Sequence, residues 1–343
     1  MRGTLSTAVG PVPQVSSRLS RTDRWGAFRA RWGVGRMHHA VDSGLYALND
    51  PGPEDPVLVT ADYKLSFDHL RSAFAGRPAW ILALNTEGIN VWCAAGKGTF
   101  GTDELVRQVA RSGLRNVVKH RTLILPQLGG PGVAAHEVRK RTEFRAVYGP
   151  IRARDLPAFL DRGLKATAAM RRKTFPLTER AVLVPVELVG ALKIALPAAP
   201  ALFLIGGLGG SGAYWRGAVE HGGFAVIALF AGVLAGAVLT PLLLPWLPGR
   251  AFSLKGLAAG AGTAALVTPL FGPQGLSLPA LLEKGGWSLL IMVVAAFLGM
   301  NFTGASSYTS LSGVRREMRW AVPLQIGFGI LGLGLWAASR LAV

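Results

Sequence analysis

Asn90-Val-Trp-Cys-Ala-Ala-Gly-Lys97 holds the single cysteine of this 343-residue chain. One thiol excludes an intrachain disulfide, and with only six scattered histidines it excludes a Cys-rich zinc site. Three roles stay open for Cys93: a small buried hydrophobe, a nucleophile, or a ligand to a soft metal. Other chemical signals are weaker. Gly96-Lys97 runs into Gly98 and lacks the spacing of a phosphate-binding P-loop. Gly129-Gly130-Pro131-Gly132 reads as a tight turn, with a phosphate cradle as the alternative. Asp68 and His69 are adjacent on a presumed helix and are expected to face solvent rather than form a dyad. HExxH and GxSxG motifs are absent.

The elements that must position Cys93 alternate between strand and helix patterns. Val57–Val59, Ala79–Leu84, Val117-Val118, Leu123–Leu125 and Ala146–Tyr148 are strand-like. Leu65–Phe74, Asp103–Arg111 and Ala134–Arg141 read as helices, with Thr102 placed to cap the second. Leu105, Val106 and Val109 should be buried, with Arg107 and Arg111 outward. This alternation predicts an α/β domain with a mainly parallel sheet, whose ligands gather at the carboxyl ends of the strands. Cys93 follows one such strand.

A net charge of +18 suggests nucleic acid or an anionic membrane as partner, and a mean hydropathy of +0.36 puts the membrane first. The apolar residues concentrate after Pro185. Five stretches approach the ~20 residues that cross a bilayer: Leu188–Leu208, Phe224–Leu244, Leu257–Leu276, the short Trp287–Phe302, and Ala321–Leu341. Glu187, Lys193, Pro197 and Pro200 mark the first as kinked, and Pro269 weakens the third. Basic residues cluster at Arg171–Lys173 and Arg180, at Arg250 and Lys255, and at Arg315, Arg316 and Arg319. The positive-inside rule then places the N-terminal domain in the cytoplasm and the C-terminus outside. The first 36 residues carry seven arginines and no apolar core; they read as a flexible basic arm rather than a secretory signal.

The octapeptide carries a resemblance. It agrees at every position with N-(V/I)-W-C-A-(A/S)-G-K, the cap-helix signature of the HgcA family, membrane corrinoid proteins of microbial mercury methylation. Val59-Thr-Ala-Asp-Tyr-Lys-Leu-Ser-Phe-Asp68, Leu123-Ile-Leu-Pro-Gln-Leu-Gly129, Pro131-Gly-Val-Ala-Ala-His-Glu-Val138 and Val147-Tyr-Gly-Pro150 are similar to that family and to the related corrinoid iron–sulfur protein large subunit. Asn301-Phe-Thr-Gly304 and Thr309-Ser-Leu-Ser-Gly-Val314 are similar to the family's membrane segment. Coverage runs from about Met37 to the C-terminus.

The resemblance implies a basic arm over 1–36, a Rossmann-like α/β corrinoid-binding domain over 37–165, a linker over 166–186, and an all-α transmembrane domain of five helices over 187–343. It implies a cobalt corrinoid (cobalamin or a related cobamide) with the Cys93 thiolate as lower axial ligand. It also implies methyl transfer from cobalt to inorganic Hg(II). Asn90, Trp92, Ala94, Gly96 and Lys97 would shape the cap. Thr60, Gln127, Leu128, Gly129, Ala134, His136, Tyr148 and Gly149 would line the corrinoid. A soft thiolate suits a polarizable transition metal and tunes its potential. Reloading through Co(I), which prefers no axial ligand, calls for a dedicated donor, and a small ferredoxin-like iron–sulfur protein is the implied partner. The upstream methyl source would be a methyl-folate system. The implied location is the inner (cytoplasmic) membrane, multi-pass, in contact with lipid and without nucleic acid. The Asp-x-His-x-x-Gly signature of His-ligated corrinoid domains is missing. Rival readings are the same carrier chemistry with a different acceptor, or a membrane receptor or transporter with a soluble ligand-binding domain.

Overall fold

The apolar runs of the first half pair into one seven-stranded sheet. The strands are β1 (Gly3–Thr7), β2 (Gly10–Val15), β3 (Gly44–Leu48), β4 (Val57–Ala61), β5 (Ala79–Leu84), β6 (Thr122–Leu125) and β7 (Arg145–Tyr148). They lie in the order β1-β2-β3-β5-β4-β6-β7. The structure, a computed structural model, describes residues 3–209, 212–305 and 311–342. Thr309 and Ser310 of the quoted membrane motif lie outside the described residues. The chain divides into two units near Thr174, with Arg31–Gly33 grouped with the second.

β5, β4, β6 and β7 run parallel, β3 is antiparallel to β5, and β1 is antiparallel to β2. The sheet is therefore mixed, with a parallel core. Side chains alternate across it as the strand period requires. Val57, Val59, Trp80, Leu82, Leu123 and Leu125 pack on one face, and Leu58, Ile81, Ala83 and Ile124 on the other. Helix α2 (Lys64–Ala73) connects β4 to β5 and brings Phe67 and Leu70 to the second face. Helices α3 (Val91–Lys97), α4 (Thr102–Arg111) and α5 (Ala135–Thr142) bring Ala94, Leu105 and Val138 to the first. The connections from β4 and β6 thus leave in opposite directions. Between those two strands lies the topological switch point, where an open α/β sheet leaves a crevice.

Residues 3–31, expected as a flexible arm, instead form β1, β2 and α1 (Arg21–Arg31), and the hairpin joins the sheet through β2 and β3. Leu5, Val12 and Val15 supply the buried side that the arginine count obscures. Val117-Val118 is buried but is not a strand; it follows a 3-10 turn at Leu114–Asn116. α4 buries Glu104, Leu105, Gln108 and Val109, while Val106 is half-buried. Asp68 does not face solvent as expected. It is buried in an ionic cluster with Lys64 (2.6 Å) and Arg71 (2.8 Å), whereas His69 is exposed.

After α6 (Leu156–Asp161) and Thr174 the chain is helical: α7 (Leu177–Ala181), α8 (Val184–Ile205), α9 (Tyr214–Gly217), α10 (Gly223–Leu234), α11 (Thr240–Leu243), α12 (Phe252–Phe271), α13 (Leu278–Ala305) and α14 (Leu311–Leu341). Five segments are long and apolar enough to cross a membrane: Leu177–Ile205, Tyr214–Leu243, Phe252–Phe271, Leu278–Gly304 and Gly313–Leu341. This is the composition of a multi-pass membrane protein. The fourth is not short. Glu283 lowers its apolarity but pairs with His221 at 2.7 Å, so the helix continues through it. Pro269 falls in the last turn of α12 and breaks nothing. Glycines set the packing: a Cβ on Gly256 would stand 2.3 Å from Ala295 O, and one on Gly236 2.6 Å from Leu298 Cβ. Such near-contact of backbones is how apolar helices associate without a hydrophobic drive. Two of the basic residues also cap: Lys255 Nζ donates to Leu244 O and Leu247 O, and Arg180 Nη1 to Leu242 O.

Candidate functional site: a cysteine helix over the switch point

β5 ends at Leu84, and the six residues that follow are pinned before they reach Cys93. The Glu104 carboxylate, buried on α4, accepts from Asn85 N and Gln108 Nε2, both at 2.8 Å. Asp62, directly after β4, accepts from Thr86 Oγ1 at 2.6 Å and Gly88 N at 3.1 Å. Asp62 and Thr86 are buried, so each satisfies the other where water cannot. Glu87 and Gly88 take left-handed φ of 59° and 68°, and the chain reverses there toward the crevice.

Asn90 then starts α3. Its Oδ1 accepts from Cys93 N at 3.0 Å, and its carbonyl accepts from Ala94 N at 2.9 Å. The side-chain bond is an N-cap in the usual sense. Asn90 Nδ2 also reaches Cys93 Sγ at 3.5 Å. Ala94 and Ala95 are buried beneath the helix, Trp92 and Cys93 are half-buried, and Gly96 and Lys97 are exposed. Gly98, at φ 88°, ends it. α3 lies against β4 and the 3-10 turn Gln127–Gly129 that follows β6. The cysteine helix therefore covers the switch point.

The glycine loop is resolved in favour of close packing. Gly129, Gly130 and Gly132 direct their N–H groups to Pro126 O, Gln127 O and Gly129 O, which leaves none for a phosphate. A Cβ on Gly129 would stand 2.5 Å from Phe100 Cε1, and one on Gly132 2.1 Å from Phe100 O. Thr102 does not cap its helix: its hydroxyl accepts from Ala134 N at 2.9 Å, tying α4 to α5.

Of the residues that the resemblance assigns to the site, Asn90–Lys97, Thr60 and Gln127–Gly129 converge. Thr60 is buried one residue from the end of β4. Tyr148 ends β7 and Gly149 follows it; Tyr148 OH donates to Val133 O, and Gly149 N to Leu125 O at 2.7 Å. Arg171 Nη1 donates to Gln127 Oε1 and Gly149 O, joining the ends of β6 and β7. Ala134 precedes α5 and is half-buried. The His136 imidazole stands in solvent, 83% exposed and 3.7 Å from Glu137, and does not join the cluster. Asp62, Thr86, Glu104 and Arg171 position the site and were not singled out from sequence. An acidic residue directly after a strand-like run was the available signal for Asp62.

Residues 35–159 match the family model described as the CO dehydrogenase/acetyl-CoA synthase delta subunit. This segment is similar to that family, in agreement with the resemblance of the α/β half to the corrinoid iron–sulfur protein large subunit. Curated relatives over the same region include the acetyl-CoA decarbonylase/synthase complex subunit gamma of Archaeoglobus fulgidus, 30% identical over 124 residues, covering 36% of this chain and 26% of the relative. The subunit gamma 2 of Methanosarcina mazei is 30% identical over 130 residues, 36% of this chain and 27% of the relative. That of Methanosarcina thermophila is 31% identical over 130 residues, with the same coverage. The chain spans about a quarter of the length of these relatives.

Proposed function

We propose that this chain is a membrane-borne, corrinoid-dependent methyltransferase, with Cys93 as the protein's ligand to cobalt and inorganic Hg(II) as methyl acceptor. The observation that carries the reading is Cys93, half-buried on a capped helix that packs against β4 and the turn after β6 at the switch point. The donor set fits the cofactor. Among the described residues no three His, Cys, Asp or Glu side chains gather to hold a metal. Cys93 alone offers one donor, which suits a metal already held in a macrocycle such as a corrin ring. A bound corrinoid supplies a cobalt centre able to accept and release a methyl group. The chain's own residues do the rest. Asn90 fixes the first turn of α3 and touches the sulfur, while Asp62, Thr86 and Glu104 hold the approach loop rigid. Ala94 and Ala95 seat the helix, and in this reading Thr60, Gln127, Leu128 and Gly129, with Tyr148 and Gly149, would meet the ring.

The octapeptide and the five apolar segments support the mercury-methylating assignment through their likeness to the HgcA family. The names of the relatives favour a second reading, a methyl carrier with another acceptor, since nothing among the residues around Cys93 selects mercury. Protein purified from membranes and loaded with a cobamide should show cobalt–thiolate charge-transfer absorption, lost in Cys93→Ala. Methyl transfer from the loaded parent is then measured to Hg(II). Absorption without transfer to Hg(II) supports the second reading. Identical spectra for parent and Cys93→Ala remove Cys93 as ligand and refute both. A ferredoxin-like protein as reductant and a methyl-folate system as donor belong to this reading, as does a cytoplasmic N-terminal domain.

A further inference from the structure

We propose that α1 and Trp32 form an interfacial anchor that lies in the headgroup layer of an anionic membrane. The inference is independent of the cobalt chemistry, and its aromatic stripe, Trp25, Phe28 and Trp32, lies outside the family match. α1 has two unlike faces. Its inner face carries Asp23, Gly26 and the fully buried Ala30. Asp23 is bonded to Lys64 at 2.7 Å and Arg71 at 2.8 Å, and a reciprocal Ser20–Asp23 pair caps the helix. The opposite face is aromatic and faces outward: Trp25 is 61% and Phe28 48% exposed, stacked at 5.3 Å, and Trp32 continues the i, i+3, i+7 stripe. Val34 and Met37 extend the exposed apolar surface.

Arg21, Arg24, Arg29 and Arg31 flank the stripe, all exposed, and the one carboxylate of the helix is turned inward. Exposed tryptophan rimmed by arginine suits the boundary between headgroups and acyl chains, where rings bury and guanidinium groups meet phosphate. Chain continuity names the occupant. Arg31–Gly33 group with the helical unit, and a Cβ on Gly33 would stand 3.7 Å from Val189 Cγ1, in the second turn of α8. The three residues that end and follow α1 thus belong to the unit that carries the membrane-crossing helices, and with the arginine rim this makes an anionic lipid surface the occupant.

The test uses the full chain in nanodiscs of phosphatidylcholine alone or mixed with phosphatidylglycerol. Tryptic cleavage after Arg24 and Arg29 is timed by mass spectrometry against cleavage after Arg115 and Lys119, exposed elsewhere in the α/β unit. Each basic residue near an anionic surface contributes about fivefold, so two engaged arginines should slow α1 cleavage by more than tenfold in the anionic discs. Added salt should restore it, and the reference sites should not change. Trp25→Ser/Phe28→Ser should abolish the protection. Amide hydrogen exchange over 22–32 in the two lipids needs no variant and should show the same slowing. Equal rates in both lipids overturn the proposal. Protection that rises with protein concentration in either lipid also overturns it, because a second copy would then cover the stripe.

Discussion

Replacing Asn90 with alanine removes the Oδ1 that accepts from Cys93 N at 3.0 Å and leaves the rest of α3 untouched. Loss of an Asn N-cap costs about 1 kcal/mol. A helix of seven residues has no reserve to absorb that cost, since isolated helices shorter than ~12 residues are marginal in water. The cost should therefore appear as local opening of α3 rather than global unfolding: the open state becomes about fivefold more populated. Amide hydrogen exchange of the peptide spanning Val91–Gly98 should accelerate by that factor. Peptides from β4 and β6, buried in the sheet, should exchange as in the parent. Because the helix carries the sulfur, cobamide affinity should fall with the closed fraction, and so by less than that factor. Asn90→Ser, which keeps a capping oxygen, should stay near the parent in both assays. If Asn90→Ala exchanges like the parent, or Asn90→Ser is as damaging as alanine, the cap does not hold the cysteine in place.

Gly132→Ala would put a methyl 2.1 Å from Phe100 O and 3.1 Å from Ala95 Cα, both backbone atoms. It should destabilise the α/β unit by about 1–3 kcal/mol, more than Gly130→Ala, when the two are compared by proteolytic stability. Burial alone would raise the Asp23 carboxyl, but hydrogen bonds from Lys64, Ser20 and Arg71 outweigh it and hold it well below the usual carboxylate range. Its stabilisation of α1 is then complete above about pH 4 and lost as pH falls toward that depressed value. Protease resistance of α1 should decline over that acid window, and Asp23→Asn should remove the pH dependence. With basic residues at Arg250 and Lys255 and at Arg315, Arg316 and Arg319, a reporter fused after Val343 should be extracytoplasmic and one near the N-terminus cytoplasmic. Both ends on one side would mean an even number of spans.

The core of the sheet was legible because its signals are local. Val57–Val59, Ala79–Leu84 and Leu123–Leu125 are unbroken apolar runs, and each lies within a strand buried on both faces. The hairpin was not, because seven arginines mask its short apolar side, and Pro11 and Pro13 are residues that a strand seldom holds. They share one parity, so their missing N–H groups fall on one side of β2, and β3 pairs with β2 only at Gln14 and Val15. α3 is nearly invisible to helix patterning: it has seven residues, a β-branched start and an internal glycine. Its helical state was read from the resemblance, and Asn90 is its sole local signal. Asp68 was misread because pairing with Lys64 and Arg71 lets a carboxylate be buried, and that partnership requires residues Asp23 and Ser16 from outside its own helix. The residues that hold the approach loop act across about twenty positions of sequence, Asp62 on Thr86 and Glu104 on Asn85, a distance at which no motif speaks.

A solitary, half-buried cysteine also makes the chain its own counter. Any thiol-directed reagent can add only at Cys93, so every molecule carries either no tag or one, and intact mass resolves the two without digestion. Whatever covers α3 shields that sulfur; the tagged fraction then reports the share of molecules left open. Occupancy of the crevice can be titrated in whole membranes, with no purified standard and no engineered label.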